Sequence, residues 1–123
     1  MALLKIAPHT PWEAVQIMID GLKDKDEGVR MVAAGALSEI GPEAWAATGA
    51  LGEALSDPDD LIRLNAATAL GQIGPAAEEA IPPLTRALQD SNEDVRAAAK
   101  AALERIQTKV VDTSTSDLPP FRG

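Results

Sequence analysis

Residues 55–74 read LSDPDDLIRLNAATALGQIG. The same phrase stands 33 residues upstream as LKDKDEGVRMVAAGALSEIG (22–41) and 33 downstream as LQDSNEDVRAAAKAALERIQ (88–107). A fixed period of this length marks stacked copies of one supersecondary unit, none of which can bury its apolar face alone. Seven positions are identical in these three stretches, among them Asp24/Asp57/Asp90, Arg30/Arg63/Arg96, Leu37/Leu70/Leu103 and Ile40/Ile73/Ile106, and Ala14/Ala47/Ala80 upstream makes an eighth. Val29, Ala33, Ala36, Leu37 and Ile40 fall on one face of a helix with 3.6 residues per turn, and so do their counterparts in the other copies.

The signals that start and stop this helix agree with the period. Asp26, Asp59 and Asn92 precede it, and each has a side-chain oxygen that can accept from the free N–H groups of a first turn. Acids follow at once (Glu27, Asp60, Glu93), where the helix dipole favours negative charge. Gly41–Pro42 and Gly74–Pro75 end the first two helices. A shorter helix precedes each of these. Thr10, Pro11 and Glu13 read as a capping box opening a helix that runs to about Leu22. The second copy predicts a helix over 44–55. The third predicts one from Pro82–Pro83 to about Leu88, with a short turn over 76–80 before it.

The expected organisation is therefore repeat 1 over 11–41, repeat 2 over 42–74 and repeat 3 over 75–107. Residues 2–8 (ALLKIAP) resemble 36–42 (ALSEIGP), so 2–10 reads as the remnant of a preceding half-repeat or an N-terminal cap. Residues 108–123 are polar and turn-rich, and read as a flexible C-terminal tail.

Composition narrows the chemistry. The 123 residues contain 46% apolar side chains, mostly Ala and Leu, which suits closely packed helices and disfavours strands. Cysteine is absent, which removes disulfides, thiol nucleophiles and thiolate metal sites. No apolar stretch approaches membrane-spanning length and no signal-peptide pattern opens the chain, so a cytoplasmic location is expected. With 19 acids against 11 bases the net charge is −8, which disfavours nucleic acid and anionic membranes as partners.

The motif Leu-x-Asp-x-Asp/Asn-x-x-Val/Ile-Arg followed by Ala-Leu-x-x-Ile-Gly resembles the short bacterial HEAT-like repeats, including those of phycobilin lyases, over roughly 11–107. The ankyrin and tetratricopeptide signatures are missing. The resemblance implies an all-α, right-handed α-solenoid of helix pairs. It implies a non-catalytic protein-interaction or scaffold module, with tetrapyrrole binding of the phycobilin-lyase type as the alternative. A DNA-repair glycosylase of HEAT-like fold is opposed by the charge.

No residue reads as catalytic, cofactor-binding or metal-ligating. His9 is the only histidine, and the paired acids Asp59–Asp60 and Glu78–Glu79 have neither the spacing nor the setting of an acid–base pair. The ladder of Asp24, Asp57 and Asp90 with Arg30, Arg63 and Arg96 reads as structural, tying turns to helices within or between repeats. Gly49 to Gly52 reads as a close packing contact. Trp12 and Trp45 are equivalent residues that either pack at the helix starts or form an exposed aromatic pair.

The side of the second helices opposite the core is uncharged in the first two copies. It holds Met31, Gly35 and Ser38, then Leu64, Thr68 and Gly71. An exposed helix face normally carries charge, so these six form the candidate partner-binding face, the alternative being that small residues here only let the stack curve tightly. The expected occupant is a protein or peptide, a basic one being drawn to the acidic turns, or a second copy of the chain as a homodimer.

Overall fold

The computed structural model describes the backbone of residues 11–117 and the side chains of 12–107. The segment 2–10, His9 and Thr10 with its capping box lie outside the described residues. Six α-helices follow in order among the described residues: α1 (Pro11–Gly21), α2 (Glu27–Ile40), α3 (Thr48–Ala54), α4 (Asp60–Ile73), α5 (Ile81–Ala87) and α6 (Glu93–Asp117). Short 3-10 segments, Gly41–Ala47 and Gly74–Ala80, lead into α3 and α5. No strand occurs among the described residues. The chain is an all-α solenoid: α2, α4 and α6 pack side by side as one layer, and α1, α3 and α5 back them.

The helix starts are built as their sequence dictates. Asp26 accepts from the N–H groups of Gly28 and Val29, Asp59 from Leu61 and Ile62, and Asn92 from Asp94 and Val95. Two residues earlier, Asp24, Asp57 and Asp90 each accept from the N–H of the capping residue at 2.8–2.9 Å. Each turn is thus a double Asx turn, with one carboxylate shaping the loop and the next side chain capping the helix.

The helix ends depend on glycine. Gly41 and Gly74 adopt φ of 75° and 79° with ψ of −140° and −145°, and their N–H groups bond back to the carbonyls of Leu37 and Leu70. Side-chain-bearing residues pay about 1–3 kcal/mol in such a region. No atom would obstruct a Cβ at either position, so the requirement for glycine is purely conformational.

Two segments differ from the sequence-based expectation. The helix expected over 44–55 is divided: Ala44 (φ −86°, ψ 15°) kinks the 3-10 segment, and α3 begins only at Thr48. The Thr48 hydroxyl donates to the Trp45 carbonyl at 2.7 Å, satisfying a buried side chain at that junction. Repeat 3 has the same division without Thr, with Ile81 opening α5 and Pro82–Pro83 in its first turn, where missing N–H groups cost nothing. The second difference is α6, whose backbone stays helical to Asp117 although a tail was expected from 108. Gln107 stands where the other copies have a stop glycine, and the next proline is Pro119, so nothing in between ends the helix. Residues 118–123 lie outside the described residues.

One apolar cluster runs through the stack. Leu37, Leu51, Ile62, Leu70, Leu84, Val95 and Ile106 are fully buried in it. Small residues set the spacing: a Cβ on Gly71 would stand 3.2 Å from the Cα of Ala102, and one on Gly52 would stand 3.3 Å from Pro83 Cγ. Of the stretch 49–52 expected to make a close packing contact, Gly52 approaches Pro83 of α5, whereas Gly49 faces open space.

Candidate interaction surface

The Asp–Arg ladder lies within the fold. Arg30 Nε donates to Asp57 Oδ2 at 2.8 Å, and Arg63 Nε to Asp90 Oδ2 at 2.9 Å. In both pairs Nη2 reaches the other carboxylate oxygen, at 3.4 and 3.0 Å. The remaining Nη1 donates to carbonyls of the arginine's own turn, at Asp24 and Lys25 for Arg30 and at Asp57 and Pro58 for Arg63. Each guanidinium therefore ties its own turn and grips the next repeat. The Arg63 guanidinium holds the Asp90 carboxyl below the usual carboxylate range, and Asp90 in turn raises Arg63. Arg96 reproduces only the first half, donating to the carbonyls of Asp90 and Ser91.

The acids of the turn edge are largely occupied in this way, as caps, Asx turns or ladder partners. One clash stands out. Glu27 faces Asp59, which raises the Glu27 carboxyl through a shared hydrogen bond and like charge. At the next junction Asn92 replaces the second acid, and its Nδ2 donates to Asp60 at 3.0 Å.

On the outer side of the second helices, Gly35 and Thr68 lie mid-face and half-buried, and Ser38 is half-buried as well. Met31 and Leu64 are half-buried and lean on the core, with Asn65 Nδ2 3.7 Å from Met31 Sδ. Gly71 is buried beneath Ala102 and Arg105 of α6, so it serves the packing of repeat 2 on repeat 3 and offers no surface. Leu61 shares this face at helical spacing with Leu64 and Thr68 and is 53% exposed. The face read from the sequence does not include it. The signal was its apolar character where the other copies carry Gly28 and Asp94.

Trp12 and Trp45 lie against each other on the side of the first helices, ring centroids 6.5 Å apart and planes tilted by 38°. Both are more than half exposed, so they form a surface aromatic pair that spans repeats 1 and 2. Among the described residues, no group of three or more His, Asp or Glu side chains is placed to hold a metal ion, and no helix is long and apolar enough to cross a membrane.

Residues 48–116 match a family model described as HEAT repeats. The chain is similar to the crystal structure of an engineered protein from the Northeast Structural Genomics Consortium, with 27% identity and a TM-score of 0.68 over 76% of this chain. The match covers 45% of that protein, so this chain spans less than half its length. No curated protein matches.

Proposed function

Because this chain belongs to the HEAT repeats, we propose that it is a non-catalytic interaction module that holds a protein or peptide on the outer face of its second helices. HEAT repeats generally act as protein-interaction scaffolds. The observation that carries the reading for this chain is Leu61, a large apolar side chain left 53% exposed on the uncharged helix face that it shares with Leu64 and Thr68. Apolar anchors surrounded by small neutral residues suit a helix or extended segment laid across them. The acidic turns at the edge favour basic flanks in that segment.

Leu61→Glu with Thr68→Glu places two charges on this face and leaves the buried side chains untouched. Quantitative affinity capture from the source cell, with cross-linking, should lose the specific partner with this variant and keep it with Trp12→Ser/Trp45→Ser. The reverse pattern moves the site to the tryptophan pair. Retention by both variants sinks the proposal. The alternative of tetrapyrrole binding rests on sequence resemblance alone, and a bilin titration followed by absorbance tests it.

A further inference from the structure

The two ends of the stack are built differently. At the leading end, α1 and α2 present Ile17, Met18, Gly21, Val29, Val32 and Ala33 around an apolar groove of about 370 Å³. Ile17 is 63%, Val29 41% and Val32 66% exposed. Residues equivalent to Val29 in the other repeats, Ile62 and Val95, are fully buried because a preceding second helix covers them. The polar part is incomplete in the same way. Asp57 and Asp90 each receive the guanidinium of the preceding repeat. Asp24, in the equivalent place, has its Oδ1 bonded to the Asp26 N–H and takes part in no ion pair among the described residues.

The trailing end does not complement it. Ala34 and Ala67, which pack under the following repeat, are fully buried, and Lys100 is exposed in their place. Ser38 and Gly71 are likewise replaced by an exposed Glu104. Charge at these positions caps a stack, since terminal repeats need a polar outer face.

We infer that the leading face is a one-sided docking surface for the trailing end of another helical-repeat array. That partner offers small residues such as the buried Ala34 and Ala67 of the internal junctions, and an arginine to Asp24. Both requirements are read from the two internal junctions, which show what this face accepts. The charged trailing end keeps wild-type copies from stacking on one another.

The test supplies a trailing end of the right chemistry on the full chain. The donor is Lys100→Ala/Glu104→Ser, which restores the residues of repeat 1. It also carries Val29→Glu/Val32→Glu, so that its own leading face is blocked. The receiver is the wild-type chain. Light scattering and sedimentation of the mixture should show a 1:1 complex that neither chain forms alone, and Asp24→Ala in the receiver should weaken it at least tenfold. Circular dichroism checks that every variant keeps its helices, and a donor blocked by Val32→Glu alone replaces the double substitution if that one does not. No complex between folded chains at hundred-micromolar concentration overturns the inference. So does a complex indifferent to Asp24→Ala, because the arginine contact would then be absent.

Discussion

Val29 and Ile62 hold the same place in consecutive repeats, follow the same cap and point the same way from the same kind of helix, yet one is 41% exposed and the other fully buried. Asp24 and Asp57 differ likewise, the first without an ion pair among the described residues and the second gripped by Arg30 at 2.8 Å. Neither difference comes from the residue itself. Each comes from whether a described second helix stands on the preceding side. In a solenoid an apolar stripe is a request for packing that the next unit fills, and stability accrues at the junctions.

The largest effect that would break this comparison is packing. Ile62→Ala should cost about 2–5 kcal/mol, as large-to-small changes in a filled core do. Val29→Ala at the leading end should cost under about 1 kcal/mol, since surface changes seldom exceed a few tenths. Urea denaturation of both variants measures the gap. An equal loss for Val29→Ala would mean that the leading face is covered in solution by the chain itself.

The ladder gives a smaller contrast. Arg63→Ala removes a two-pronged ion pair as well as carbonyl bonds and should cost about 1–3 kcal/mol. Arg96→Ala removes only carbonyl bonds and should cost about 1 kcal/mol or less. The Asp90 carboxyl is held below its ordinary value, so its contribution is fully present above the unfolded carboxylate pKa of about 4. It is lost as pH falls through the depressed folded value. The Arg63→Ala penalty should therefore shrink in acid melts and stay constant from neutral pH down to about 5.

The smallest effect separates the two internal junctions from each other. Asp59→Asn keeps the cap, because Asn and Asp are equal in that role. It also replaces the Glu27–Asp59 repulsion with the amide–carboxylate contact seen between Asn92 and Asp60. The melting temperature should rise at neutral pH. The Glu27 pKa is raised in the folded chain, so the wild type gains stability as pH falls through that value and Glu27 takes up its proton. The variant's advantage should fade over the same interval. A fall in melting temperature at pH 7 would show that Asp59 contributes more through its charge at the helix start than it loses to Glu27.

Much of this was legible from local chemistry. The period, the second helices, their Asp and Asn caps, the glycine stops and the Asp–Arg ladder all follow from side chains acting on their own turn or at one repeat's distance. The divided first helix of repeat 2 was not legible, because Ala44 and Thr48 are compatible with an unbroken helix and the break follows from the turn set by Gly41–Pro42. Of the face proposed for a partner, the sequence could show that Gly71 lies opposite the core. It could not show that Ala102 of the next repeat covers it, since that depends on how closely two helices approach.

The sequence by itself determined the repeat, the all-α class and the caps, because these rest on spacing and on single-residue stereochemistry. Only the tertiary structure decided which copies of an identical pattern are buried. It left Val29, Val32, Leu61 and the tryptophan pair in the open, and it withheld from Asp24 the arginine that its two counterparts receive. The physical reason is that burial and ion pairing belong to the junction between units, and a repeated sequence is the same at every unit while its junctions are not.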